Sequence, residues 1–301
     1  MNTNKKLLAS LALCGAIMNV LPASVLAAGP KIVSITLPPL HKPLTRFEGN
    51  LSNKNILIVL SQRDTQYEGA YAYVKPGAQD APRWIDLSGS ANKDGVITLT
   101  ERVGRKVTGT FSGKISGNVF SGTWRSPDGK DLSFSASTSK AADDLKIIAR
   151  VEDDSGDTTL QGIDIYRGQK LMQSLPAKAN IFTMLEHLQY DNRDLNFDGY
   201  PDLSLPVENG EQLHWFFDPN QSRYVAAPAS LQKTNVTAVE YSSNEVFEEW
   251  DHGAEAKGMD IYKFVGGKYC LIEENKVLGD PETAKTTTKK YPVSQCKAKQ
   301  H

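Results

Sequence analysis

The chain has 301 residues, with 34 Lys and Arg against 35 Asp and Glu, and a formal net charge of −1. That near-neutrality, with basic side chains scattered along the chain, argues against a nucleic-acid partner. Beyond the N-terminus no stretch approaches the roughly 18 apolar residues a membrane helix requires, so no membrane span is expected.

In chain order, residues 1–28 have the makings of a signal peptide. Lys5 and Lys6 form a basic start, Leu7 to Leu21 an apolar core, and Val25-Leu26-Ala27 a small-residue cleavage signal. Leu13 occupies the position where lipid attachment at Cys14 needs a small residue, so cleavage after Ala27 or Ala28 is expected instead. The expectation is export to the periplasm. Taking 28 residues from 301 leaves 273, enough for two ordinary domains or one large all-β domain, and loss of Lys5 and Lys6 moves the charge from −1 to −3.

Residues 29–46 are Pro-rich (Pro30, Pro38, Pro39, Pro43), which reads as an extended leading segment with folded sequence starting near Phe47. Residues 47–140 read as a β-meander, in the form of a barrel or sandwich. Asn55 to Ser61 is a nearly continuous apolar run, and Tyr67 to Val74 alternates Tyr and Ala. Trp84 to Leu87, Gly95 to Thr100, Lys106 to Phe111, Val119 to Trp124 and Leu132 to Ala136 follow at short spacing. The Ser-Gly pairs at 88–89, 112–113, 116–117 and 121–122 lie in no Gly-x-Ser-x-Gly elbow and read as hairpin turns and strand ends. Ser135 to Asp144 is small and polar, and the domain boundary is placed there.

Residues 141–301 read as a second β domain, an incomplete propeller-like or sandwich arrangement. Glu152 to Asp157 reads as an acidic hairpin turn, and Asn180 to His187 as the one helix, capped by Asn180. Then comes Asp194-Leu195-Asn196-Phe197-Asp198-Gly199-Tyr200-Pro201-Asp202. Asp194, Asn196 and Asp198 offer oxygens at loop positions one, three and five, Gly199 permits the turn, and the Tyr200 carbonyl and Asp202 carboxylate follow. This is a Ca2+ loop pattern between strands. It differs from an EF-hand, because position twelve is Leu205 and the apolar flanks are short. Strands resume from Gln212 to Glu273, giving roughly seventeen strand segments overall. After the signal, Cys270 and Cys296 remain as an even pair and are expected to form a disulfide that pins the basic tail.

The second half, about Asp144 to Glu274, resembles a family of exported bacterial proteins. The resemblance rests on Asp-x-Asn-x-Asp-Gly-Tyr-x-Asp-Leu at Asp194 to Leu203, Trp-Phe-Phe at Trp215 to Phe217, and Tyr-Lys-Phe-x-x-Gly-Lys-Tyr at Tyr262 to Tyr269. The family includes periplasmic immunity proteins that neutralise peptidoglycan hydrolases, and it is similar to inhibitors of invertebrate-type lysozyme. The resemblance implies a propeller-like fold and bound Ca2+ on Asp194, Asn196, Asp198, Tyr200 and Asp202. The first half, Phe47 to Ser137, resembles a β-rich module closing on Gly-Thr-Trp-x-x-x-Asp-Gly-Lys, here Gly122 to Lys130, and brings no activity with it.

For catalysis the sequence offers little. The five histidines form no metal-ligand pair, and no P-loop, dinucleotide fingerprint or Cys-x-x-Cys occurs. Glu248, Glu249 and Asp251 flank Trp250 and read as a solvated strand edge. Tyr67, Tyr71, Tyr73, Trp84, Trp215, Phe217, Tyr241, Trp250 and Tyr262 suggest either core or a binding patch. The leading expectation is a non-catalytic inhibitor of a cell-wall hydrolase or lysozyme. The alternative is a module that binds peptidoglycan or another envelope carbohydrate, and an enzyme ranks last.

Overall fold

In a computed structural model of the chain, the described residues are 31–40, 42–75, 82–138, 145–154, 157–181, 185–251, 253, 256–278 and 285–296. The expected signal peptide lies outside them. The fold is all-β.

Eight consecutive strands close into an antiparallel barrel: β2 (Lys42–Leu51), β3 (Lys54–Arg63), β4 (Gln66–Tyr73), β5 (Ile85–Ala91), β6 (Ile97–Val103), β7 (Lys106–Ser116), β8 (Val119–Arg125) and β9 (Asp131–Ser137). The first and last strands pair through Glu48 with Ser137 and Leu51 with Phe134, which removes the free edges a meander would otherwise expose. Alternation along each strand fills the lumen with side chains. Phe120 and Phe134 meet edge to face at 4.8 Å, Phe111 and Phe134 at 5.1 Å, and Tyr71 and Phe111 at 5.0 Å. Among these side chains Glu101 is buried, accepting hydrogen bonds from the Tyr71 hydroxyl (3.0 Å), the Thr108 hydroxyl (2.6 Å) and Trp124 Nε1 (2.6 Å).

The Ser-Gly pairs fare differently from the expectation of hairpin turns and strand ends. Ser116-Gly117 does turn, with Gly117 at φ +60°, but Gly89, Gly113 and Gly122 lie inside strands. Gly113 and Gly122 face each other across β7 and β8, where a Cβ on Gly113 would come within 2.9 Å of the Phe134 ring. Gly113 makes room for that ring, and Gly122 lets the β7 backbone approach at Ser112 and Gly113.

Three further antiparallel sheets follow. The first takes the order β1 (Lys31–Leu37), β10 (Leu145–Asp154), β11 (Asp157–Arg167) and β12 (Lys170–Asn180). The second joins β13 (Leu203–Pro206), β14 (Gln212–Asp218) and β15 (Arg223–Ala226). The third joins β16 (Val236–Glu240), β17 (Glu245–Asp251), β18 (Ala256–Val265), β19 (Lys268–Leu278) and β20 (Lys285–Lys290). Of the acidic segment expected to be a hairpin turn, Glu152 to Asp154 end β10 and Asp157 opens β11, with Asp154 opposite Asp157, and residues 155–156 lie outside the described residues.

Two sequence expectations are corrected. Residues 29–46 are not merely a leading segment: Lys31–Leu37 is an edge strand paired with β10, and the barrel begins at Lys42, ahead of Phe47. An edge position tolerates the flanking prolines that would break a central strand. The helix expected at Asn180 to His187 begins instead as the end of β12, which runs to Asn180, and ends in a 3-10 turn at Leu185–His187, with residues 182–184 lying outside the described residues. Ile181 donates its N–H to the Thr158 carbonyl at 2.9 Å, and Ile181 and Leu188 are buried in the core of the first two sheets. Tertiary pairing overrides the local helical period there.

Strand β3 shows how the parts join. Ile56, Ile58 and Leu60 point into the barrel, whereas Leu57 and Val59 point outward into a second core with Leu195, Phe197, Phe216, Tyr241 and Tyr262. Burial of both faces accounts for its unbroken apolar run. Barrel and following sheets therefore share a core.

Cys270 and Cys296 are bonded, with Cα atoms 4.8 Å apart across 26 positions, and Cys270 is buried on β19. On the chain-entropy model a loop of that size stabilises the fold by about 3 to 4 kcal/mol. Cys296→Ser should lower the free energy of denaturant unfolding by about that amount; an unchanged midpoint would contradict this role.

Candidate metal centre

The loop predicted to bind Ca2+ leaves a neck where Asp191 bridges Ser204 and the Asp202 N–H meets the Arg193 carbonyl at 3.0 Å. Within it the side chains alternate. Leu195 and Phe197 are buried and turn outward into the shared core, while Asp194, Asn196 and Asp198 turn their oxygens onto the loop itself.

The Asp194 carboxylate accepts from Asp198 N–H (3.1 Å) and Gly199 N–H (2.8 Å). Asp202 accepts from Leu195 N–H (2.7 Å) and, with its other oxygen, from Phe217 N–H on β14 (2.8 Å). Asp198 accepts from Tyr200 N–H (2.9 Å), and the Asn196 amide donates to Asp198 at 3.0 Å. Phe197 (φ +61°) and Gly199 (φ +86°) take left-handed backbone to close the turn. A Cβ on Gly199 would meet Leu57 at 3.0 Å and Trp84 at 3.3 Å, so the glycine also lets the barrel approach.

Asp194 and Asp202 are fully buried. Burial first, then the neighbouring carboxylates, pushes both well above the usual carboxylate range, and Asp198 is raised chiefly by burial. The barrel contributes one positive group: Arg46 stacks 4.2 Å over the Tyr200 ring and pulls the Asp198 carboxyl down against that trend. Among the described residues no three acidic, His or Cys side chains form a ready-made ligand group. The loop's oxygens are engaged by backbone N–H groups, as an Asx-rich turn would engage them. That turn does not require two carboxylates out of water. Each carboxylate oxygen has more than one acceptor direction, and the donor set of three carboxylates, an amide and the Tyr200 carbonyl is all oxygen, as a hard divalent cation prefers. The set fits calcium.

The surroundings seal the loop to the barrel. Trp84 Nε1 donates to the Phe197 carbonyl at 2.8 Å, Tyr269 donates its hydroxyl to the Leu195 carbonyl, and the Phe197 ring packs edge-on against Tyr241 at 5.7 Å.

No protein family model matches the chain, and no curated protein matches it. Among solved structures it is similar to one described as a Xanthomonas type IV secretion system related protein. That match is 14% identical with a TM-score of 0.38, covering 53% of this chain and 90% of the other.

Sequence reasoning missed a buried pair. Ser204 on β13 and His214 on β14 are cross-strand partners, with Ser204 Oγ 2.7 Å from His214 Nδ1, and His214 Nε2 2.9 Å from the Thr234 carbonyl. A carbonyl only accepts, so Nε2 carries the proton and Ser204 donates to Nδ1. Both side chains are buried, which makes the pair a packing element, and no local spacing announces it. One other expectation changes. Glu248 is buried and accepts from the Tyr262 hydroxyl (2.9 Å), whereas Glu249 and Asp251 are exposed as expected. Of the aromatics considered for a surface patch, Tyr67, Tyr71, Trp84, Trp215, Tyr241 and Tyr262 are core, Tyr73 is exposed, and Phe217 and Trp250 are half-buried.

Burial lowers His214 from its ordinary value to about 4. The unfolded chain therefore takes up a proton near pH 6.5 that the folded chain refuses until about pH 4, so stability is complete above pH 6.5 and lost as pH falls. The loss by pH 4 is about 3 kcal/mol. Denaturant titrations in chelator from pH 7.5 to 4 should show His214→Gln lacking this part of the wild-type decline; parallel profiles would contradict the assignment.

Proposed function

We propose that the chain is an exported, calcium-stabilised and non-catalytic binding protein, an immunity-type inhibitor of a peptidoglycan hydrolase or lysozyme-like enzyme. The calcium part is carried by one observation: Asp194 and Asp202, with Asp198 beside them, are carboxylates buried in one turn at the contact between the barrel and the following sheets. Asp194, Asn196, Asp198 and Asp202 would hold the ion by side chains and Tyr200 by its carbonyl. Bound there, calcium supplies the positive charge that balances the buried carboxylates.

The partner part rests on the resemblance of Asp194 to Leu203, Trp215 to Phe217 and Tyr262 to Tyr269 to periplasmic inhibitors. Export to the periplasm is supported by the basic and apolar leader, and the Cys270–Cys296 disulfide is compatible with it. Because Leu195 and Phe197 lie in the shared core, the calcium loop is not itself the segment that enters an enzyme cleft. Its part is to fix the relative position of barrel and sheets, so that the loops presented to the hydrolase are preorganised and little ordering entropy is lost on binding.

The test uses mature protein with calcium or chelator. Calcium should raise the melting temperature, by an increment that shrinks as pH falls because protons compete for the same oxygens, and Asp198→Ala should abolish the response. In parallel, the protein should slow peptidoglycan digestion by a periplasm-directed hydrolase recovered with it, and chelator should weaken that inhibition. An unchanged calcium response in Asp198→Ala would remove the metal assignment. Failure to slow any hydrolase that copurifies would remove the inhibitor reading.

A further inference from the structure

The barrel and the third sheet enclose a cleft of about 840 Å³, within the size range of ordinary ligand sites. One wall is the outer face of β3 to β6, with Ser61, Glu68 and Ser88 among its residues, and the other is strand β16. Buried Leu44 and Tyr241, members of the shared core, give it an apolar floor.

Strand β16 ends its sheet, paired with β17 on one side only. Its open edge is tied down at both ends. At the start, Arg193 Nη1 donates to the Val236 carbonyl at 2.6 Å; just past the end, Ser242 N–H donates to Asp86 Oδ1 on barrel strand β5 at 3.0 Å. Between these ties the backbone groups of Thr237 to Glu240 have no hydrogen-bond partner beyond β17 among the described residues. Such an edge is a template on which another extended chain can add. Water alone can also serve it, so the edge needs a second observation before it points to a ligand.

Asn192, in the neck of the loop, supplies that observation. It lines the same cleft and is only 8% exposed. Its backbone N–H bonds to Asp191 Oδ1 at 2.7 Å, but its side-chain amide makes no hydrogen bond among the described residues. Both polar atoms of that amide keep access to solvent, so the group faces the cleft. A carboxamide sets an acceptor beside a donor, as a peptide unit does, and the two pair through two hydrogen bonds. Left unmet in so enclosed a place, it forgoes stabilisation that a ligand restores. The charges are of both signs. Arg63 and Arg102 stand exposed on the barrel wall with Asp64 and Glu68, and none of the four forms an ion pair among the described residues. A polyanion or a polycation meets like charge there, whereas a chain of mixed charge does not.

We infer that the cleft binds an extended peptide segment of another protein, added to the open edge of β16 with the Asn192 carboxamide paired to one of its peptide units. The site uses none of the proposed calcium ligands and does not rest on the inhibitor reading.

The probe is a displayed library of random heptapeptides, selected on the mature protein in calcium and counter-selected on Ser88→Trp, whose indole fills the cleft from an exposed position on the barrel wall. Calorimetry with the best synthetic peptide then reads the mode of binding. Strand addition has a period of two, so N-methylation of alternate peptide nitrogens should abolish binding in one phase and leave it within about threefold in the other. Asn192→Ala should weaken binding by about tenfold or more while the calcium-dependent melting shift persists. Should that variant fail to fold, Ser88→Trp decides, and it should abolish binding of the selected peptide. No peptide enriched on the wild type over Ser88→Trp, equal effects of the two N-methylation phases, or affinity indifferent to the folded variants would overturn the site. Hydrolase inhibition is measured on the wild-type protein without peptide, so the two readings fail separately.

Discussion

Three carboxylates gathered in one turn, two of them wholly out of water, are the constraint around which the rest of the structure is arranged. Like charges at close range in a poorly solvated site repel one another, and burial alone already disfavours the ionised forms. Backbone N–H groups of Leu195, Asp198, Gly199, Tyr200 and Phe217 answer part of this by pointing at the carboxylate oxygens, and Arg46 answers part from the barrel. A calcium ion, as proposed, answers the remainder. The same turn directs Leu195 and Phe197 the other way, into the core shared with Leu57, Val59 and Trp84 of the barrel. One short segment thereby links charge balance on its inner side to apolar packing on its outer side.

This arrangement changes what a metal would do for a binding protein. A cation on an exposed loop shapes only that loop. Here the loop lies beneath Trp84, Tyr241 and Tyr269, so any loosening of the carboxylate cluster is felt where barrel and sheets meet. If the chain acts as the proposed binding protein, rigid placement of the two β-rich bodies would limit the entropy its surface loops lose on association.

Much of the fold was legible from residue patterns. Period-two alternation and turn residues gave strands β5 to β9 within a few residues, and the oxygen spacing of Asp194 to Asp202 pointed to a segment that forms a turn with Asp194 and Asp202 buried in it. What the patterns could not carry was non-local. Barrel closure depends on β2 meeting β9, and the membership of Lys31–Leu37 in a sheet with β10 joins segments more than a hundred positions apart. Asn180 to His187 has a helical period, yet the pairing of β12 with β11 and burial of Ile181 decide the conformation at its start. Gly113 and Gly122 read as turn or strand-end residues because local sequence does not reveal the Phe134 ring beside Gly113 or the close β7 backbone beside Gly122. Ser204 with His214, and Trp250 over Gly258, are cross-strand relations that exist only once register is set.

The loop joins the two β bodies at its buried carboxylates, and the proposed calcium would make that joint cation-dependent. Hydrogen–deuterium exchange of the mature protein with calcium and with chelator tests it most directly. Chelation should raise exchange in residues 194–202 and also in the barrel strands β3 and β5 near Leu57 and Trp84, while β7 and β8 on the barrel stay protected. Exchange that rises in the loop alone, or nowhere, would contradict the claim.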